Sequence, residues 1–260
     1  MDKVERHFVL VHGACHGAWC WYKLATLLRS AGHRVTALDM AASGVHPKRL
    51  DEVCSLLDYC EPLTEFMEYL PVDDRVVLVG HSMGGICISV AMERYPEKIS
   101  FAVFITAFMP GPNLDFPTIN QEFNRALDSY MDSQFKFDQG LDKSPTSILF
   151  GPNFLSSKFY QLSPPEDFTL ASLLVRPLAS FNEAEVLKEI SLTKEKYGSV
   201  RRVYIVSDQD NVIKEDLQRW MIENNPTDEV QAISGSDHMV MFSKPQELCT
   251  FLQEIAVNYC

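Results

Sequence analysis

Apolar and polar positions alternate along the chain in two rhythms. Residues 7–11 (HFVLV) form a short β-rich run that opens into His12-Gly13-Ala14-Cys15-His16-Gly17. Residues 19–31 then carry helical periodicity and stop at Gly32, a natural helix C-cap. Residues 34–40 (RVTALDM) predict the next strand, and after a polar, irregular stretch residues 59–70 predict an amphipathic helix. The run 75–80 (RVVLVG) is continuously apolar, as a strand buried on both faces of a parallel sheet must be. A helix of small and apolar residues follows over 83–94, then another buried strand over 101–108 (FAVFITAF).

The rhythm breaks at Met109-Pro110-Gly111-Pro112. From there to about residue 181 the chain is rich in Pro, Phe, Leu and Ser and shows no clear strand, so a mostly helical insertion is expected. Alternation returns with a strand at 200–206 (VRRVYIV), a helix at 214–224, a strand at 229–233 and a last helix at 245–256. Strands alternating with helices imply an α/β fold: a mostly parallel sheet with helices on both faces. The expected division is a core of residues 1–110 and 182–260, with 111–181 inserted as a cap.

Composition narrows the function classes. Of 260 residues, 46% are hydrophobic and 22% charged, the balance of an ordinary globular protein. The formal net charge of -12 repels phosphate backbones and anionic membranes, so neither nucleic acid nor membrane is an expected partner. Seven scattered cysteines with no CxxC pair argue against a disulfide framework and a zinc site, and for a reducing compartment. The N-terminus runs directly into an apolar strand without a secretory pattern, so a cytoplasmic location is expected.

The chemistry starts at Gly80-His81-Ser82-Met83-Gly84. Five residues of this kind arise by chance, and a capped turn would show the same serine. Here a buried strand ends just before them and a helix begins just after. That places Ser82 on a sharp strand-to-helix turn, the nucleophile elbow. The helix N-terminus aims backbone N–H groups at any oxyanion formed there. His12-Gly13-Ala14, after the first strand, is the second signal. In this geometry one oxyanion donor comes from that loop and the other follows the nucleophile, which nominates the N–H groups of Ala14 and Met83. His12 reads as a residue that holds the loop.

A serine hydroxyl needs a base with a pKa near the working pH. His238, in Gly235-Ser236-Asp237-His238-Met239, is the only histidine after Ser82 and follows the last strand. An acid must orient the imidazole, and Asp208 and Asp210 both follow the strand 200–206. Spacing does not choose between them, and Asp237, adjacent to the base, ranks third. His16 lies near the oxyanion loop, within reach of substrate. The aromatic residues of the insertion, with Phe108 and Tyr130 among them, supply packing and part of an apolar pocket over Ser82.

The chain closely resembles the plant methylesterase family of the α/β-hydrolases, the group of methyl salicylate esterase, polyneuridine aldehyde esterase, methylketone synthases and hydroxynitrile lyases. The resemblance rests on HFVLVHGACHGAWCWYKL at 7–24, VTALDMAASG at 35–44, VGHSMGG at 79–85, AVFITAFMPGPN at 102–113, SLLVRPLASF at 172–181, YGSVRRVYIV at 197–206 and GSDHMVM at 235–241. It implies the α/β-hydrolase fold and a small-molecule ester substrate. It also implies Asp210 as the acid, Ala14 and Met83 as oxyanion donors, His16, Phe108, Tyr130 and Met239 as substrate contacts, no cofactor or metal, and a homodimer through the cap. Hydroxynitrile lyases carry a threonine at the Gly13 position, an acidic residue at His81 and a lysine at Met239, so this chain resembles the esterases instead. The methylketone synthase lacks the serine and the acid, both present here as Ser82 and Asp210. Tyr130 stands where the salicylate esterase has a tryptophan.

Overall fold

The apolar runs become the strands of one parallel sheet. The structure, a computed structural model, describes residues 5–259. In chain order its elements are β1 (His7–Val11), α1 (Tyr22–Ser30), β2 (Arg34–Leu38), α2 (Leu56–Tyr69), β3 (Val76–His81), α3 (Gly84–Arg94) and β4 (Ile99–Ile105). The middle of the chain adds α4 (Phe116–Ala126), β5 (Gln134–Lys136), β6 (Ser147–Leu149), α5 (Pro152–Phe154), α6 (Pro165–Leu174), β7 (Leu178–Ala179) and α7 (Glu183–Glu189). It closes with β8 (Arg202–Ser207), α8 (Glu215–Asn224), β9 (Glu229–Ile233), α9 (Val240–Ser243) and α10 (Pro245–Asn258). The main sheet has the order β2-β1-β3-β4-β8-β9, and every neighbouring pair is parallel. Helix α1 packs on α10, and α2 on α3. This is the expected α/β-hydrolase architecture.

The strand order explains where a site can form. From β1 the chain runs outward to β2, returns to β3 beside β1, and then runs the other way to β4. The loops leaving β1 and β3 therefore diverge above neighbouring strands, and such a switch point leaves a crevice at the carboxyl ends of the strands. The central strands supply the packing. All six residues of β3 are buried, while edge strand β9 alternates between half-buried and exposed positions before Ile233. Side chains such as Leu10, Val79 and Phe104 are fully buried, and each contributes about 1.5–3 kcal/mol relative to exposure.

Several details depart from the sequence reading. Helix α2 starts at Leu56 rather than 59, because Ser55 and Asp58 cap each other's backbone N–H groups. The insertion is not free of strands: β5, β6 and β7 form a three-stranded antiparallel sheet. Strands of two or three residues are too short to display a period of two, so the pattern could not reveal them. The scattered cysteines argue against a disulfide framework, yet one pair is joined. Cys60 on α2 and Cys87 on α3 are joined as a disulfide, with a Cα–Cα distance of 5.3 Å, because these two helices pack side by side. Cys15, Cys20, Cys54 and Cys249 are free, and Cys260 lies outside the described residues. No helix among the described residues is long and apolar enough to cross a membrane.

Candidate active site

Ser82 sits between β3 and α3 with a φ of 54°, a left-handed conformation that an L residue adopts only under constraint. The constraint is visible. The Ser82 carbonyl accepts from the N–H of Gly85 at 3.1 Å and of Phe108 at 3.0 Å. The motif glycines allow the turn to close. A Cβ at Gly80 would lie 2.9 Å from the Gly84 carbonyl oxygen, and one at Gly84 would collide with the Val11 carbonyl oxygen of β1. Gly13 comes close from the other side: a Cβ there would lie 2.8 Å from Ser82 Cβ and 3.3 Å from its Oγ.

The loop after β1 is braced by a histidine. His12 Nε2 accepts the Met40 N–H at 3.0 Å, so Nδ1 carries the proton and donates to the Gly13 carbonyl at 2.8 Å. Burial holds this imidazole neutral by pushing its pKa down. Among the described residues, neither the Ala14 N–H nor the Met83 N–H has a protein acceptor, although both residues line the same cavity as Ser82. Two N–H groups without acceptors, in a cavity floor shared with a serine hydroxyl, are the arrangement an oxyanion site requires.

His238 is fully buried, and its Nδ1 lies 2.6 Å from Asp210 Oδ2. The Asp210 carboxylate is saturated. Oδ2 also accepts from Thr106 Oγ1 at 2.5 Å, and Oδ1 accepts from the N–H groups of Val212 at 2.6 Å and Ile213 at 3.0 Å. These donors hold the carboxylate against Nδ1 and leave Nε2 as the free nitrogen; Nε2 is buried without a partner among the described residues. No hydrogen bond joins it to Ser82 Oγ in this conformation. Such contacts are often long without substrate and tighten when it binds. The loop bearing His238 is tied to β8 by Ser207, whose Oγ lies 2.8 Å from the carbonyls of Ser236 and Asp237.

His81 lies against the imidazole with ring centroids 4.6 Å apart, and its Nε2–H donates to the His238 carbonyl at 2.8 Å. Burial, then the neighbouring His238, pushes its pKa well below the ordinary value, so it stays neutral. The other aspartates do different work. Asp208 caps the turn at Ser234 and Gly235, while Asp237 turns away from the imidazole to accept from the Met239 N–H and from Leu162 and Ser163.

Above Ser82 lies a cavity of about 210 Å³. Ala14, Ser82 and Met83 form its floor, Phe108, Phe123, Tyr130, Phe150, Phe154 and Phe159 its aromatic walls, and Asn120 and Ser180 its polar positions. Phe108 and Tyr130 are thus where the sequence reading put them. His16 and Met239 are not among the lining residues. His16 is buried with both ring nitrogens engaged, by the Ala14 carbonyl at 2.8 Å and the Tyr160 hydroxyl at 2.7 Å, and Met239 is fully buried at the start of α9. Thr106, Phe159, Tyr160 and Asp237 escaped the sequence reading as structural partners. The Thr106–Asp210 contact spans 104 residues and His16–Tyr160 spans 144, and no local pattern encodes such pairs. Among the described residues no group of three His, Cys, Asp or Glu side chains is placed to hold a metal ion.

The alpha/beta hydrolase family matches residues 8–251. Methyl jasmonate esterase 1 of Vitis vinifera is 60% identical over 260 residues, covering 100% of both chains. The chain belongs to the alpha/beta hydrolase family. Within that family it belongs to the plant methylesterase group, as its resemblance implied. Salicylic acid-binding protein 2 of Nicotiana tabacum is 49% identical, with 99% of each chain covered. The crystal structure of tomato methylketone synthase I with 2-tridecanone superimposes with a TM-score of 0.95 at 48% identity, covering 99% of this chain and 100% of that one.

Proposed function

We propose that this hydrolase is a serine carboxylesterase that cleaves a small-molecule methyl ester through an acyl-enzyme. The observation that carries the reading is the strained Ser82 elbow flanked by two unpaired backbone N–H groups, at the floor of an apolar cavity. His238 Nε2 takes the Ser82 proton as Oγ attacks the ester carbonyl. Asp210 stabilises the imidazolium, and the N–H groups of Ala14 and Met83 hold the oxyanion. Each such donor contributes about 3–4 kcal/mol to the transition state. The imidazolium protonates the departing methoxide, and methanol leaves. Water, deprotonated by His238, then releases the carboxylic acid. Residues 111–181 act as the cap that closes over the acyl group.

The acyl group is apolar and compact. The aromatic walls exclude charge, and the volume suits a small ring or short chain better than a long lipid. The name of the Vitis vinifera relative makes methyl jasmonate the first compound to assay. Methyl esters of jasmonate, salicylate and aliphatic acids, tested with wild type and Ser82→Ala, check the reading. Methanol release that vanishes in the variant supports it, and turnover that survives overturns the acyl-enzyme. A second reading, decarboxylation of 3-ketoacids, is favoured by the likeness to the tomato synthase. Carbon dioxide release from a β-ketoacid without Ser82 would establish it.

The four free thiols among the described residues support a cytoplasmic enzyme and the Cys60–Cys87 disulfide opposes it, so fractionation of the tagged protein decides. A homodimer through the cap rests on the resemblance alone, and sedimentation tests it.

A further inference from the structure

Five consecutive residues of the cap, 159–163, touch three of the loops that carry the site. A π-helical turn, Leu155–Phe159, ends at Phe159, whose ring meets the His238 imidazole edge to face with centroids 4.6 Å apart. Next, the Tyr160 hydroxyl reaches His16 Nε2 at 2.7 Å. The Ala14 carbonyl can only accept, so His16 Nδ1 carries the proton that binds it, and Nε2 must accept from Tyr160. Tyr160 therefore grips, through one imidazole, the peptide following the Ala14 N–H. Gln161 Nε2 donates to the Gln209 carbonyl at 2.6 Å, one residue before Asp210. The Leu162 N–H at 3.0 Å and Ser163 Oγ at 2.8 Å donate to Asp237 Oδ2, while Asp237 Oδ1 holds the Met239 N–H at 3.0 Å. Through these three bonds Asp237 and Met239 bracket His238 on both sides.

We propose that residues 159–163 are a positioning clamp: the seated cap holds the oxyanion loop, the acid loop and the base loop in mutual register. Tyr160, Gln161 and Ser163 are positioning residues that act through His16, Gln209 and Asp237 and touch no reacting atom. The physical case is that the three loops leave different strands, β1, β8 and β9, and their bonds to one short turn remove their independent motion. The π-helical turn supports this reading, since such irregularities cost helix stability and concentrate at functional positions. His16 is suited to the relay because burial pushes its pKa down to about 3, which keeps Nε2 an acceptor at neutral pH. Asp237 serves as a buried bracket with a complete set of donors. The clamp rests on the esterase reading above.

The test uses the whole protein with Tyr160→Phe, Ser163→Ala and the triple variant Tyr160→Phe/Gln161→Leu/Ser163→Ala. Active sites are titrated with a fluorophosphonate, and melting temperature is measured alongside. The expected result is a fall in kcat per titrated site of about tenfold for Tyr160→Phe and about 100-fold for the triple variant, with KM nearly unchanged. Fluorophosphonate labelling of Ser82 should slow in parallel, and Ser163→Thr should restore what Ser163→Ala loses. The clamp is overturned if kcat per titrated site and labelling rate stay at wild-type values while only the melting temperature drops. Labelling reads Ser82 whatever ester is natural. Labelled wild type that hydrolyses no ester would therefore sink the substrate reading and leave the clamp standing. Wild type that is not labelled at all would remove both.

Discussion

The parallel sheet and the cap are built on different principles. The sheet is held by long apolar strands whose side chains are buried on both faces, and its reactive groups hang from backbone turns. The cap is made of short elements, a three-stranded sheet of eight residues and aromatic side chains packed ring on ring. It meets the core through discrete polar latches, among them Lys23 on Asp167 at 2.5 Å and Arg176 on the Gly44 carbonyl at 2.9 Å. A core of the first kind fixes geometry and tolerates little change. A cap of the second kind can be reshaped side chain by side chain. The proposed esterase reading assigns chemistry to the first region and selectivity to the second.

The largest test of that division is Ser82→Ala, which should lower kcat about a million-fold with the melting temperature unchanged. A residual rate within tenfold of wild type would mean that the elbow is not where the chemistry occurs. Next comes Asp210→Asn. Its amide cannot accept from all of Thr106, His238, Val212 and Ile213, so the imidazole loses its orientation, and kcat should fall about 10⁴-fold. Asp208→Asn should leave kcat within a few-fold, because that carboxylate only caps a turn.

Stability separates the regions more finely. Leu10→Ala on β1 should cost about 2–5 kcal/mol in denaturant titrations, with kcat per folded molecule preserved. Phe123→Ala, which removes a cavity wall set against Phe108 at a centroid distance of 5.3 Å, should instead raise KM for a cyclic ester about tenfold. If Leu10→Ala changed ester preference and Phe123→Ala did not, the division would be wrong.

A last effect concerns pH. Burial keeps His12, His16 and His81 neutral in the folded protein, with His16 pushed down to about 3 from 6.5. The unfolded chain takes up protons below about 6.5 and the folded chain does not. Stability is therefore complete above that value and falls as pH drops toward 3, by at most about 1.4 kcal/mol per pH unit for each histidine. Thermal melts across this range should show the decline, and His16→Gln should make it shallower, leaving the parts due to His12 and His81. A variant with the wild-type slope would show that His16 is protonated in the folded state.

Legibility followed the same division. The strands of the core could be read within three residues because both faces are apolar; β1 and β9 match their expected limits, while β4 ends at Ile105 rather than 108. The cap strands could not, since two or three residues give no periodicity. Ser82 and His238 were legible as residue types placed after strands. The choice of Asp210 over Asp208 was not, until resemblance supplied it and the hydrogen bond to His238 placed it beside the base.

By itself the sequence determined the alternation of strand and helix, the glycines that let Ser82 occupy its turn, and the order of serine, acid and histidine. These are local properties: a strand's burial and a turn's backbone angles depend on residues a few positions apart. Only the tertiary structure decided that Thr106 completes the acid's donors, that His16 and Met239 lie outside the cavity, that Cys60 meets Cys87, and that one cap turn touches three loops. Each of these depends on contacts between residues brought together by strand order and helix packing. A chain read in one dimension carries no signal for which distant segments will meet.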